Sequence, residues 1–252
     1  MKKQDVFVIL LSALVFFAII FYIVYKPEKR ETYSKVFNGI SSSNVNVKLN
    51  NSNLAIIHSS KFYVNVDNKH LNVYKRNNKL YIEEETNIDS EDKNVYLYVP
   101  EDYSFDNIDV SMNSGHINGD GLNSSNLKIN ITNGEVNLSN LNILNSMYVN
   151  ILSGNVNLSG GVSNLALVNE GASIYFNGAL FENNSIDSVN GKITLKLENK
   201  DSYKFKFNKK YKDVFIEDKK VSKLSYGYGK NIITIKKNSG NVDINFVGDV
   251  SV

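Results

Sequence analysis

Asn113-Ser114-Gly115, Thr132-Asn133-Gly134, Leu152-Ser153-Gly154, Asn169-Glu170-Gly171, Val189-Asn190-Gly191 and Asn238-Ser239-Gly240 repeat one phrase, a polar residue and a glycine set between alternating apolar residues. The first five glycines are separated by 19, 20, 17 and 20 residues, and a step of 49 reaches Gly240. Five and seven residues before the glycine stand Val110 and Ile108, Ile129 and Leu127, Val149 and Met147, and Ile235 and Ile233. Two residues after it stand Ile117, Val136, Val156, Ile193 and Val242. Gly171 is out of register by one, with Ile174 in place of the expected position, a slip that a bulge absorbs.

Apolar residues two apart belong to strands that bury one face. Gly after Asn or Ser supplies the positive φ of a tight corner. Two short strands and two corners in some 20 residues cannot pack alone, but stacked copies would share a core, which is the logic of a solenoid. The competing arrangement is a series of β-hairpins, since Asn-Gly is also a hairpin turn. The glycines recur at one place in a repeat with a second polar corner between them, which favours stacking. The expected class is therefore all-β, a parallel, β-helix-like solenoid.

Working outward, Val45, Val47 and Leu49 alternate, as do Phe62, Val64 and Val66, Leu71 and Val73, and Val95, Leu97 and Val99. These are the opening strands, residues 41–100. Glu83-Glu84-Glu85 reads as a strand end and Asp89 to Asp92 as a solvated loop, before Pro100 stops a strand. The Gly-turn repeats span 103–197. Residues 201–230, rich in Lys and aromatics, read as an inserted hairpin or a cover for the end of the core. A final rung, 231–248, completes a repeat domain over 41–248, with its atypical ends shielding edge strands.

Upstream, Val6 to Tyr25 is an uncharged apolar run of 20 residues, long enough to cross a bilayer as a helix. It follows Met1-Lys2-Lys3, and neither a small-x-small cleavage site nor a lipidation Cys closes it. Residues 1–26 therefore read as an uncleaved signal anchor and 27–40 as a charged juxtamembrane linker. The basic residues on either side lean slightly towards an outside N-terminus. A short N-terminus ahead of a large polar β domain favours instead a single-pass protein of the cell membrane with its C-terminal domain extracellular.

The net charge of +2 gives no basic face for nucleic acid, so none is expected as a partner. With no Cys there is no disulfide framework and no thiolate metal site. The abundant Asn suits left-handed corners and stacked amide ladders, although AT-rich coding alone would also enrich it.

Three features resemble the bacterial β-strand-repeat family of unknown function usually labelled "putative adhesin". They are Val95-Tyr96-Leu97-Tyr98-Val99-Pro100 opening the repeats, Ser153-Gly154-Asn155-Val156-Asn157-Leu158 within them, and Gly229-Lys230-Asn231-Ile232-Ile233-Thr234-Ile235 followed by Asn238-Ser239-Gly240-Asn241-Val242 at their close. The resemblance implies a parallel β-solenoid on the cell envelope, often membrane-tethered, without enzymatic activity or agreed catalytic residues. The short step at Gly171 and the aromatic segment before Gly240 depart from it.

An enzyme on such a fold needs paired carboxylates or a Ca²⁺ cluster. Asp109, Asp120, Glu135, Glu170, Glu182 and Asp187 fall at different places in the repeat and would not stack into one site. His58, His70 and His116 lack ligand spacing. His116 to Gly121 faintly resembles a calcium turn but lacks the repeated Asp and closing Glu, and Tyr226 to Lys230 lacks the spacing of a phosphate loop. No cofactor, metal or catalytic residue is expected. The residues singled out are the structural turn glycines Gly115, Gly134, Gly154, Gly171, Gly191 and Gly240. Aromatic and cationic residues between Tyr203 and Tyr228 could meet sugars, but an amphipathic strand accounts for them.

The leading expectation is a non-enzymatic, membrane-anchored envelope protein acting by contact, as an adhesin, scaffold or stress-response module. Its partners would be the bilayer through residues 6–25 and a cell-wall polymer or another envelope protein. The alternatives are a carbohydrate-active β-helix enzyme, which needs acids converging in one cleft, and an ectodomain sensor for a peptide or wall polymer.

Overall fold

A computed structural model of the chain describes residues 33–85, 93–208 and 213–247. The apolar run of residues 6–25 lies outside them. Among the described residues, no helix is long and apolar enough to cross a membrane.

The chain opens with β1 (Lys35–Asn38), β2 (Asn44–Leu49), β3 (Asn53–His58), β4 (Tyr63–Val66), β5 (Leu71–Arg76), β6 (Lys79–Glu84) and β7 (Asn94–Val99). The glycine repeats form β8 (Ser104–Asp120), β9 (Asn123–Ser163), β10 (Leu165–Asn169), β11 (Ser173–Phe181), β12 (Asn183–Ser188) and β13 (Ile193–Glu198). A short 3-10 turn, Lys200–Ser202, leads to β14 (Tyr203–Phe207), β15 (Val214–Ile216), β16 (Lys219–Lys220), β17 (Ser225–Tyr226), β18 (Asn231–Lys237) and β19 (Val242–Val247). At 17 and 41 residues, β8 and β9 exceed any straight strand of a small domain. They stay extended while turning corners at Gly115, Gly134 and Gly154.

Pairing is parallel throughout β8 to β13, so the repeats stack and are not hairpins. Two ladders result. One inward column runs Ile82, Val47, Val110, Ile129, then Val149, Leu167, Ile186, Ile235 and Phe207. The other runs Val95, Leu54, Ile117, Val136, then Val156, Ile174, Ile193, Val242 and Val214. Every member is buried. At about 4.8 Å per strand, nine levels make a stack roughly 38 Å long. Each level adds aliphatic surface to a shared core worth about 25 cal/mol per Å².

The order of strands in the stack is not the order in the sequence. At one end β2 lies between β6 and β8, and β3 between β7 and β8. At the other, β18 lies between β12 and β14, and β19 between β13 and β15. At each end the chain lays down an outermost level, and an earlier or later segment fills the level beneath it. The strands β14 and β15 thus cover the end, and the final stretch 231–247 is interior to them. Tyr203, Phe205, Phe207, Val214 and Ile216 are core residues of that cover. Short antiparallel strands shield the edges: β5 on β6, β4 on β7, β1 on β4, β17 on β14 and β16 on β15. The linker expected over 27–40 is therefore too long at its C-terminal side. Lys35–Asn38 is a strand because Phe37 packs on the core while its backbone pairs with β4.

Candidate functional site

The glycine corners form a column. Gly115, Gly134, Gly154, Gly191 and Gly240 all have positive φ, 124° at Gly154. A Cβ at Gly134 would fall on the Gly115 carbonyl oxygen, and one at Gly154 on that of Gly134. Close approach of successive backbones, as much as φ, dictates glycine there.

Gly171 does not belong to this column. Ile174 is in register with Val156 and Ile193, so Ala172 holds the corner position, and a Cβ at Gly191 would strike the Ala172 carbonyl oxygen. The buried Asn169 side chain makes this turn. Its Oδ1 accepts the Ala172 N–H, and its Nδ2 donates to the carbonyls of Ala172 (2.7 Å) and Asn190 (3.1 Å) and to Ser188 Oγ. The expected bulge is thus an asparagine-built corner. Asn169 was visible in the sequence only as part of the Asn169-Glu170-Gly171 phrase.

Beside the column, on the outside of the stack, a groove of about 540 Å³ crosses five successive levels. One rim is Lys48, Ser111, Asn130, Asn150 and Val168, where Lys48, Ser111 and Asn130 are register partners and Asn150 pairs with Val168. Across it stand Asn113, Thr132, Leu152 and Glu170. The inward column Leu49, Met112 and Ile131 runs between the rims, as strand alternation requires. The groove is polar and neutral over its middle, cationic at Lys48, and apolar then acidic towards Leu152, Val168 and Glu170. Leu152 and Val168 are each more than a third exposed. Periodicity located these positions as outward-facing, but the rims become a groove only once five levels are stacked.

Asparagine ladders border the stack. Asn126 Nδ2 donates to Asn107 Oδ1 (3.1 Å), Asn107 Nδ2 to Asn44 Oδ1 (2.7 Å), and Asn157 Nδ2 to Asn137 Oδ1 (2.7 Å). The Ser153 hydroxyl continues the corner column onto Asn133.

The acidic residues stand at different places in the stack. Asp109 faces Lys128, Glu135 faces His116 and accepts from Asn155, and Asp187 has Val168 and Lys236 as register neighbours. Asp120 accepts from Ser139 and Asn140, whose hydrogen bonds hold its carboxyl below the usual range. Glu170 lines the groove, and Glu182 occupies a left-handed corner at φ 63°. Among the described residues, no group of three His, Asp or Glu side chains could hold a metal ion.

One ionic site was missed. Glu84, expected only as part of an acidic strand end, is buried with Lys93 at the corner between β6 and β7. Lys93 Nζ donates to Glu84 Oε1 at 2.9 Å, while Oε2 accepts the N–H groups of Asn50 (2.7 Å) and Asn51 (3.1 Å). Burial pushes the carboxyl up, but the ammonium and these amides more than reverse it and hold it below the ordinary value. Period-two alternation with Leu80 and Ile82 was the available signal, since it places Glu84 inward.

The family model described as Toastrack DUF4097 matches residues 22–245. No curated protein matches the chain. Among solved structures, a "putative cell adhesion protein" from Clostridium sporogenes is 16% identical, with 86% of this chain and 99% of that chain covered and a TM-score of 0.42. A "putative adhesin" from Bacteroides fragilis is 9% identical, with 87% and 98% covered and a TM-score of 0.40. Another from Parabacteroides merdae is 12% identical over the same shares, with a TM-score of 0.33.

Proposed function

We propose a contact function for this chain, which belongs to the Toastrack DUF4097 family. The protein is anchored in the cell membrane by residues 6–25, exposes the β domain outside, and acts as a non-enzymatic adhesion or scaffolding module. The observation that carries this reading is the groove over five levels, whose rims repeat the same kind of group from one level to the next. A site with a strand-spacing repeat of about 4.8 Å suits a ligand that is itself linear and periodic. Ser111, Asn113, Asn130, Thr132 and Asn150 offer neutral donors and acceptors, the chemistry that pairs with hydroxyl-rich polymers. A linear polysaccharide of the cell wall fits that description. The placement of the acids on different levels and corners supports binding over hydrolysis, because glycoside hydrolysis needs two carboxylates flanking one bond.

Protease shaving of intact cells tests the exposure. Digestion of residues 41–247 from outside supports the reading, and protection until lysis defeats it. Titration of the solubilised full chain with purified wall oligosaccharides tests the groove. Loss of binding in Asn130→Ala/Asn150→Ala, with an unchanged melting transition, supports the assignment. Equal binding by this variant removes the groove from the site.

A further inference from the structure

We infer that Lys204, Lys206 and Lys236, in line with the groove at the β14 end, form an anion seat for phosphate or carboxylate groups carried by the polymer that lies in it. This rests on the contact reading above and adds the charge of the ligand. Residues 33–181 carry nine Lys or Arg against fourteen acids, and residues 182–252 carry fourteen Lys against nine acids. The overall charge of +2 thus conceals a chain whose last part is cationic.

Register brings part of that charge onto the face that holds the groove. The rim through Asn150 and Val168 continues to Asp187 on β12 and then to Lys236 on β18. Thr234, two residues earlier on the same face, is the register partner of Lys206 on β14, and Ile232 is that of Lys204. The alternating residues Phe205, Phe207, Ile233 and Ile235 are buried, so the three lysines face outward. Lys206 and Lys236 are exposed, and Lys204 is half-buried. Ser185, Thr234 and Ser225 place hydroxyls on the same face. The lysines begin two levels, or roughly 10 Å, beyond Val168.

Most acids of this end stand elsewhere. Glu198, Asp213, Glu217 and Asp243 belong to the second ladder, on or beside β13, β15 and β19, and Asp218 to the turn after β15. Glu217 pairs with Lys200, and Asp243 with Lys192 at 2.9 Å. On the first ladder Asp187 stands beside Lys236, Glu182 lies at the corner before β12, and Asp201 lies in the turn before β14. Asp249 is outside the described residues. Among the described residues, no carboxylate forms an ion pair with Lys204, Lys206 or Lys236. Like charges gathered on one sheet face repel, and a bound anion relieves that repulsion. Lysine presents a point charge without the fork of arginine, which serves phosphate and carboxylate alike. Alignment with the groove selects a polymer over a single ion, because one elongated ligand reaches both.

Purified wall oligosaccharides would be separated by anion exchange into neutral and acidic pools and titrated against the solubilised full chain. The acidic pool should bind about tenfold more tightly, with the difference falling as salt is raised. Lys204→Gln/Lys206→Gln/Lys236→Gln should abolish that difference and leave binding of the neutral pool unchanged. Lys196→Gln/Lys219→Gln/Lys220→Gln removes the same charge from exposed positions of the second ladder and its cover, and should preserve it. Cleaving phosphodiesters with hydrofluoric acid, or capping carboxylates with carbodiimide, identifies the group that sits on the lysines. Equal binding of both pools by the wild type overturns the proposal. So does equal loss in the two lysine triples, which reports net charge alone, or duplex DNA competing as well as the acidic pool. Loss in the Lys204 triple beside normal binding by Asn130→Ala/Asn150→Ala keeps the anion seat and removes the groove. Failure of both pools to bind refutes the contact reading and the seat with it.

Discussion

In the central levels the chain turns at Gly115, Gly134 and Gly154, where each carbonyl occupies the space a side chain would need. In the outermost level at the β1 end, the matching corner between β6 and β7 is filled by the carboxylate of Glu84 and the ammonium of Lys93. The first solution works by absence. It allows successive backbones to approach so closely that the corner tolerates no added atom, and nothing in it titrates. The second works by occupancy. It joins the end of β6 to the start of β7 through side chains, and it makes the corner depend on two charges that must both be present. Asn169 is intermediate, a side chain that supplies by hydrogen bonds what the glycine turn supplies elsewhere. A repeat of this kind thus conserves strand register and lets the chemistry of the corner vary.

The comparison can be broken at several points. The core common to both regions comes first: Val156→Asp buries an unpaired charge in a fully buried column, and loss of the cooperative melting transition is expected. Retention of normal melting would remove Val156 from the stacked core. Next, Gly154→Ala should cost about 4 kcal/mol or more in denaturant unfolding, because two backbones must part to admit the methyl.

Glu84→Gln should cost about 3 kcal/mol by leaving Lys93 buried without its counter-charge. The Glu84 carboxyl lies lower in the folded state than its ordinary value, so its stabilisation is complete above about pH 4.3 and fades as pH falls through the folded value. Urea midpoints of wild type and Glu84→Gln should therefore converge on acidification; a constant gap would show that the ionised carboxylate is not what holds the corner. Smallest of all, Gly171→Ala should change stability by less than about 1 kcal/mol. Its φ is ordinary for an L residue, and the nearest atom to a Cβ there is the Leu152 carbonyl oxygen at 3.5 Å. A large loss at Gly171 would return it to the glycine column and displace Ala172.

The stacked core was legible because strand period and corner period are both local. Val136, Val156, Ile193 and Val242 are register neighbours or core members at the places their spacing gave them. Gly171 misled because a glycine beside a polar residue looks the same whether or not it forms the corner, and Asn169 acts through its side chain. The exchanged order of levels at the two ends was not legible. Parallel pairing of Val47 with Val110, 63 residues apart, leaves no mark in either segment. The groove followed the same rule, since its rims come from residues as distant as Lys48 and Glu170. The buried Glu84 was legible only in part: three consecutive glutamates marked the strand end, while alternation alone pointed one of them inward.

The interleaving of levels has a mechanical consequence. Tension applied at the N-terminal side would peel β1 from β4 and then reach β2, which is bonded along its length to β6 on one flank and β8 on the other. At the opposite terminus β19 is bonded along its length to β13, and its first half, Val242 to Ile244, is clasped on the other flank by β15. A terminal strand on an open edge unzips one bond at a time, whereas a strand clasped on both flanks yields only when two ladders shear together. The fold therefore behaves as a latch at either terminus, suited to a part that transmits pulling force without fraying.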